Sequence, residues 1–135
     1  MKTALLFSGQ GAQSVGMAKT LYENYASVKD LFKRADDALG MKLSKYCFEG
    51  PASDLTKTSI CQPALFLHGM AVVQVLKERE MLGEVVAALG LSLGELTAHA
   101  FAGTFSFETG LKIVAERGRL MQEACDASEG AMASF

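Results

Sequence analysis

The feature that most constrains the fold is a glycine-flanked serine directly after an unbroken apolar run. The run, residues 84–89, lacks polar alternation and is typical of a strand in a parallel sheet covered on both faces. The next five residues, GLSLG, match the glycine–any–serine–any–glycine pattern of a sharp strand-to-helix turn. In such a turn the serine hydroxyl projects clear of the backbone, and the glycines allow close approach. The pattern predicts that Ser92 is a nucleophile; the alternative is a plain glycine turn.

The remaining patterns place this turn in an α/β protein. A second buried strand is predicted over residues 3–7, followed by a glycine-rich loop over residues 8–14. Helices are predicted over residues 17–25, 28–39 and 42–48, from Pro63 to about 82, from the serine turn to about 102, and from a Ser106 cap to about 125. Gly40 is expected to end the second helix, and residues 50–53 to form a turn. Two strands are few for a complete sheet, so the chain is expected to be part of a larger fold.

Composition excludes several function classes. Half of the 135 residues are hydrophobic and 21% are charged, which is the balance of a globular protein rather than a disordered one. A formal net charge of −2 gives no overall attraction for phosphates, so nucleic acid is not an expected partner. Three cysteines without a CxxC pair argue against a disulfide framework or a zinc site, and predict reduced thiols in a cytoplasmic protein. No membrane segment is expected, because His68 and Gln74 interrupt the longest apolar stretch.

A serine nucleophile needs a general base, and the chain has two histidines. His99 follows Ser92 on the same predicted helix at an axial separation of roughly 10 Å, too far for a hydrogen bond. A pairing of His99 with Glu95, one helical turn away, is expected instead. His68 is expected to be a core or boundary histidine. Neither is a convincing base, so a complete serine–histidine unit requires residues that this chain does not contain.

Four segments together resemble the malonyl-CoA:acyl carrier protein transacylases, the acyltransferase family of fatty-acid and polyketide synthesis. In chain order they are FSGQGAQ (residues 7–13), TSICQPA (58–64), GLSLGE (90–95) and RGRLMQ (117–122). The resemblance implies an α/β-hydrolase-like acyltransferase core with a parallel sheet. Residues 1–129 are then the N-terminal part of its large subdomain. Residues 130–135 are expected to begin an inserted ferredoxin-like subdomain, before which the chain is truncated.

The resemblance also implies roles for individual residues. Ser92 is the acylated nucleophile, and the backbone N–H groups of Gln10 and Leu93 form the oxyanion hole. Arg117 binds the free carboxylate of the malonyl group. Gln62 is expected near the wall of the active site, as part of the substrate-binding region.

The helical pattern supports the role of Arg117 independently. One stripe of the last predicted helix consists of Gly110, Val114, Arg117 and Met121, whereas another stripe carries charged residues that include Arg119. Arg117 is therefore an arginine on an apolar face, and its planar guanidinium suits a carboxylate. The alternative partner is an internal Asp or Glu. Arg119 is expected to be an ordinary solvated residue.

Two departures from the family pattern bear on function. Leu91 stands where the family usually has histidine, next to the nucleophile and bordering the pocket, so acyl preference or efficiency is affected. Family members are also considerably longer, and their general-base histidine lies beyond the region present here.

The activity implied by the resemblance is transfer of a malonyl group from malonyl-CoA to the phosphopantetheine thiol of acyl carrier protein, through a malonyl-serine intermediate. No metal or redox cofactor is implied, and the full-length enzyme is expected to be a monomer. Two alternatives stay open: a serine hydrolase or thioesterase with the same turn, and an inactive fragment that acts as a binding module. A dinucleotide site in the glycine loop is disfavoured, because Ser14 stands where that fingerprint requires a third glycine.

Overall fold

The structure, a computed structural model, describes residues 1–130. In chain order its elements are β1 (Lys2–Phe7), α1 (Lys19–Asn24), α2 (Ala26–Leu39), α3 (Leu43–Glu49), α4 (Ala52–Leu55), α5 (Thr58–Glu78), β2 (Glu84–Gly90), α6 (Leu93–Phe101) and α7 (Phe107–Asp126). The α/β class predicted from the sequence is confirmed. The expected start of a ferredoxin-like subdomain falls, except for Gly130, outside the described residues.

The two strands are parallel neighbours, and their pairing positions the serine turn. The register runs from Lys2 opposite Glu84 to Phe7 opposite Gly90, with one shift between Thr3 and Ala4. Both strands therefore reach the same edge of the sheet at their carboxyl ends. At that edge the glycine-rich loop after β1 and the serine turn after β2 come together, which is where open parallel sheets place their binding sites.

One face of this sheet packs on helices, and the other is open among the described residues. The inner face lies on α6, and Phe7 packs against the ring of Phe101, with ring centres 6.3 Å apart. On the outer face the register partners Leu6 and Leu89 are 77% and 56% exposed. The expectation of a sheet covered on both faces is therefore wrong for residues 1–130. The apolar outer side chains explain why the strand sequence lacks polar alternation.

Helix α5 forms the centre of the core and packs against α2, α6 and α7. Its fully buried side chains include Cys61, Phe66 and Leu67. By length and composition α5 is able to cross a membrane, with a hydropathy of 1.5 over its most apolar 18-residue window, contrary to the sequence expectation. Yet 56% of that window is buried inside the fold, so packing accounts for the apolar composition.

The start of α5 differs from the prediction. The helix begins at Thr58, and Pro63 lies inside it rather than at its first position. The Oε1 of Gln122 on α7 accepts a hydrogen bond from the Thr58 N–H at 2.9 Å, which satisfies one of the free donors at the helix start. The helix ends at Glu78, about four residues before the predicted end.

The residues predicted to end α2 and to begin α7 were placed correctly. Gly40 ends α2 in the left-handed region at φ 62°, as predicted. The Ser106 hydroxyl accepts a hydrogen bond from the Thr109 N–H at 3.1 Å and caps α7, also as predicted. The turn expected at residues 50–53 is wrong in its second half, because the short helix α4, which was not predicted, already begins at Ala52.

Candidate active site

Ser92 lies at the tip of a strained turn between β2 and α6. Its backbone has φ 54° and ψ −107°, in a region that costs a non-glycine residue about 1–3 kcal/mol. The side chain is exposed, as the nucleophile prediction requires. Strain of this kind persists only where the surrounding structure imposes it. Here the close backbone contacts of the neighbouring glycines impose it.

Both flanking glycines are needed because backbone meets backbone at the turn. A Cβ on Gly90 would lie 2.0 Å from the carbonyl carbon of Gly94. A Cβ on Gly94 would lie 2.2 Å from the carbonyl oxygen of Phe7. The turn is thus pressed against the end of β1, and any side chain at either glycine would push the strands and the helix apart.

Leu93 is the first residue of α6, and its buried side chain anchors the helix start. The next two N–H groups, of Gly94 and Glu95, close the turn onto Leu91 and Ser92 carbonyl oxygens at 3.0 and 3.2 Å. The N–H of Leu93 has no acceptor within its own helix, as is general for a first helical residue. The positive end of the helix dipole also lies here, which favours a negative oxygen next to Ser92.

The glycine-rich loop after β1 lies directly on this turn. A Cβ on Gly9 would be 2.7 Å from the Leu91 carbonyl oxygen, so the two backbones are in close contact. Gln10 follows Gly9, and its Nε2 donates to Thr58 Oγ1 at 3.2 Å, which ties the loop to the start of α5. The predicted oxyanion donors Gln10 and Leu93 therefore come from two segments that meet at Ser92. The side chain of Leu91 is 70% exposed next to the nucleophile.

Arg117 joins the nucleophile to the core. Its Nη2 donates to Ser92 Oγ at 2.9 Å, and its Nη1 donates to Gln62 Oε1 at 2.7 Å. The alternative partner, an internal carboxylate, is not found: among residues 1–130 Arg117 forms no ion pair. The cation is therefore held by two neutral groups, the Gln62 amide and the Ser92 hydroxyl.

Arg119 has the opposite environment. It forms ion pairs with Glu116, at 2.6 Å, and with Glu123, on the exposed side of α7. These two carboxylates raise its pKa, because each stabilises the charged guanidinium. The two arginines thus confirm the predicted stripes of α7, one facing the site and one facing solvent.

Gln62 has a buried environment on α5 and α7 that was not predicted from the sequence. Its side chain is 1% exposed, and its Nε2 donates to the sulfur of Met121 at 3.1 Å while its Oε1 accepts from Arg117. The available signal was a glutamine between Cys61 and Pro63, at the start of the apolar stretch of α5, because a buried amide must find partners.

Neither histidine is hydrogen-bonded to Ser92, whose Oγ accepts from Arg117. His99 Nδ1 is hydrogen-bonded to Thr104 Oγ1 at 3.2 Å, so the predicted pairing with Glu95 is wrong. The chain turns back after α6 at Gly103, which brings Thr104 to the histidine. His68 is half-buried on α5 as predicted, and its burial lowers its pKa. Within residues 1–130 no group of three or more His, Cys, Asp or Glu side chains is placed to hold a metal ion.

A parallel strand, a strained serine, a helix start and an arginine bonded to the serine hydroxyl thus meet at one edge of the sheet. Residues 4–135 match the acyl transferase domain family, and the chain belongs to that family. Within it the chain is similar to the malonyl CoA-acyl carrier protein transacylase of Bacillus subtilis (strain 168). The two are 46% identical over 134 residues, which are 99% of this chain and 42% of that protein.

Solved structures agree with this assignment. The acyl-carrier-protein-S-malonyltransferase of Bartonella henselae has a TM-score of 0.86 at 43% identity, over 92% of this chain and 40% of that one. A malonyl-transacylase solved in complex with a type II polyketide-synthase acyl-carrier protein has a TM-score of 0.84 at 36% identity, over 92% of this chain and 40% of that one. The chain therefore spans about two-fifths of the length of the proteins it resembles.

Proposed function

We propose that the whole protein transfers a malonyl group from malonyl-CoA to the phosphopantetheine thiol of an acyl carrier protein, in fatty-acid biosynthesis. The observation that carries this proposal is the Arg117 guanidinium, bonded to Ser92 Oγ at 2.9 Å and free of any carboxylate among residues 1–130. A malonyl group has a carboxylate one methylene from its thioester carbonyl. When the carbonyl carbon reaches Ser92, that carboxylate lies within reach of Arg117.

The reaction has two steps, each a substitution at a carbonyl carbon. Ser92 Oγ attacks the malonyl thioester, the new C–O bond replaces the C–S bond, and a base passes the serine proton to the leaving coenzyme A sulfur. The carrier thiol then attacks the malonyl ester, a C–S bond replaces the C–O bond, and the base passes the thiol proton to Ser92 Oγ. In both steps the negative oxygen of the intermediate lies near the N–H groups of Gln10 and Leu93, and fixed donors of this kind stabilise it.

The base is proposed to come from a part of the protein outside residues 1–130. His99 is engaged by Thr104, and His68 lies on α5 beside β1. In this proposal residues 1–129 are the N-terminal part of a large subdomain, and residues 130–135 lead into a small one. The greater length of the relatives supports only a base that lies outside this segment, since the chain covers 42% of the Bacillus subtilis protein.

The partners are proposed from the relatives' names. Malonyl-CoA and acyl carrier protein are named for the Bacillus subtilis relative, and the complex with an acyl-carrier protein is of a protein 36% identical to this chain. The cysteines Cys47, Cys61 and Cys125 are free thiols, which favours a reducing compartment such as the cytoplasm.

A serine hydrolase with the same turn is the second candidate. Such an enzyme needs no cation at its nucleophile, so Arg117 favours the transferase. Brief incubation of the whole protein with malonyl-CoA, followed by mass spectrometry, should give one malonyl adduct on Ser92, and none in Ser92→Ala. An adduct that survives in Ser92→Ala would overturn the assignment. Rapid loss of the adduct to water, with no faster loss to a carrier thiol, would support the hydrolase.

A further inference from the structure

Gln62 is a polar side chain in the central, largely buried helix α5. It is 1% exposed on α5, and both ends of its amide have partners on α7. Burying an unpaired amide is costly, so the two hydrogen bonds are required for the side chain to stay inside. Their partners, Arg117 and Met121, are one helical turn apart on the face of α7 next to the serine turn.

The two partners allow only one orientation of the amide. A guanidinium has donors and no acceptor, so it requires the Oε1 of Gln62. A thioether sulfur has no donor, so Met121 requires the Nε2. The hydrogen bonds at 2.7 and 3.1 Å match this assignment, and together they hold Arg117 Nη1 in place. The other terminal nitrogen, Nη2, is left to donate to Ser92 Oγ.

The backbones of α5 and α7 approach closely beside this contact. A Cβ on Gly118 would lie 2.7 Å from the Thr58 carbonyl oxygen, so only glycine allows this spacing. The hydrogen bond from the Thr58 N–H to Gln122 Oε1 also joins these two helices. Gln62 therefore meets Arg117 from a rigid position rather than from a mobile loop.

The neutrality of Gln62 matters because of what a carboxylate would do there. A glutamate at this position would form a buried ion pair with Arg117 and occupy its fork. Arg119 shows the result two residues away, where two glutamates take up the charge. An amide oxygen holds a guanidinium without cancelling its charge, which leaves that charge for an anionic group arriving at Ser92.

We propose that Gln62 is a positioning residue that selects for anionic acyl groups, by fixing Arg117 beside Ser92 through a neutral acceptor. This inference rests on the proposed malonyl transfer. The new element is that selectivity for malonyl over acetyl groups depends on the neutral side chain of Gln62 as well as on Arg117.

The test compares Gln62→Glu and Gln62→Met with the wild type, all as the whole protein. The rate of Ser92 acylation is measured by mass spectrometry over a range of malonyl-CoA and acetyl-CoA concentrations. Gln62→Glu should lower the malonyl rate by roughly 10- to 100-fold, the range expected for losing a hydrogen bond to a charged group. Acetyl-CoA has no carboxylate, so its rate should stay within about threefold of the wild type.

Gln62→Met removes the hydrogen-bond acceptor of Arg117 without adding charge. It provides an independent test if Gln62→Glu does not fold. It should raise the KM for malonyl-CoA more than it lowers kcat, because Arg117 remains charged but loses its fixed position. Gln74→Glu is the matched control: the same change on the same helix, on a side chain bonded to Glu78 near the far end. It should leave both rates unchanged.

Two results would overturn the inference. The first is a malonyl-to-acetyl rate ratio that is unchanged in Gln62→Glu, whether both rates stay the same or both fall equally. The second is an unchanged KM for malonyl-CoA in Gln62→Met. Absence of a malonyl adduct in the wild type is a separate result, which would overturn the proposed function and this inference with it.

Discussion

The Nη2 of Arg117 lies 2.9 Å from the Oγ of Ser92, although 25 residues separate the two in sequence. The contact brings together the middle of α7 and the start of α6. The cation is therefore in place at the hydroxyl before any substrate arrives. Under the proposed function, the carboxylate of the malonyl group replaces the hydroxyl as the partner of Nη2.

Arg117→Ala in the whole protein should lower malonyl transfer far more than acetyl transfer. Losing one partner of a partly buried charge pair costs about 2–5 kcal/mol, or roughly 30- to 5,000-fold in rate. Acetyl-CoA lacks the distal carboxylate and loses no such contact. The measurement is the ratio of the two transfer rates.

Arg119→Ala is the control for this change, because its ion pairs are on the exposed side of α7. The variant should transfer both acyl groups at nearly the wild-type rate. If Arg117→Ala lowered the malonyl and acetyl transfer rates equally, Arg117 would instead be a structural residue. A large fall in the malonyl-to-acetyl ratio in Arg119→Ala would show that Arg119, and not Arg117, binds the malonyl carboxylate.

Gly90→Ala and Gly94→Ala should each destabilise the protein by about 1–3 kcal/mol or more, because the added methyl overlaps backbone atoms that have no room to move. Urea unfolding measures the change. Gly130→Ala is the control, since a Cβ there meets nothing within 4 Å, and its effect should stay within about 0.5 kcal/mol. Wild-type stability in Gly94→Ala would contradict the close contact between the turn and Phe7.

The 135-residue chain on its own should transfer malonyl groups at least about a thousandfold more slowly than the whole protein, because removing one member of a coupled catalytic unit removes most of its effect. A steady-state transfer assay with acyl carrier protein measures the difference. Rates near those of the whole protein would make His68 or His99 the base, and the corresponding glutamine variants would then identify which.

Stability should fall as the pH drops below about 6.5, and His68 should account for part of the loss. Burial lowers the pKa of His68 in the folded state, so the unfolded chain binds the proton more readily. The loss develops between the unfolded and folded pKa values and then levels off. Urea unfolding at about pH 7.5 and about pH 5.5 should show a smaller difference in His68→Gln. The same difference in both proteins would contradict the assignment.

Thiol reagents should modify Cys125 first in the folded protein. Burial raises the pKa of Cys47 to about 12 and that of Cys61 to about 11, so both are protonated and shielded, whereas Cys125 is exposed. Labelling with iodoacetamide at about pH 8, followed by peptide mapping, gives the order. Cys125→Ser should remove the fast phase, and fast labelling of Cys61 would show that the start of α5 opens.

The serine turn and the face of Arg117 were predictable from the sequence because each depends on a local pattern. Five consecutive residues define the turn, and the periodicity of one helix places Arg117. The partners of Gln62 were not predictable, since they lie 55 and 59 residues away on another helix. The start of α5 at Thr58 depends on Gln122, 64 residues away, and for that reason the local preference of Pro63 was misleading. The hydrogen bond between His99 and Thr104 was not predicted either, because it depends on the reversal of the chain after α6.

The open outer face of the sheet has a consequence for handling the isolated chain. Leu6, Val86 and Leu89 form an exposed apolar strip on two strands whose outer edges are unpaired among residues 1–130. Strand edges next to such a strip are templates for pairing between molecules. A polypeptide that stops here should therefore bind hydrophobic dyes and precipitate as its concentration rises, and lysine in place of Leu6 or Leu89 should keep it dispersed.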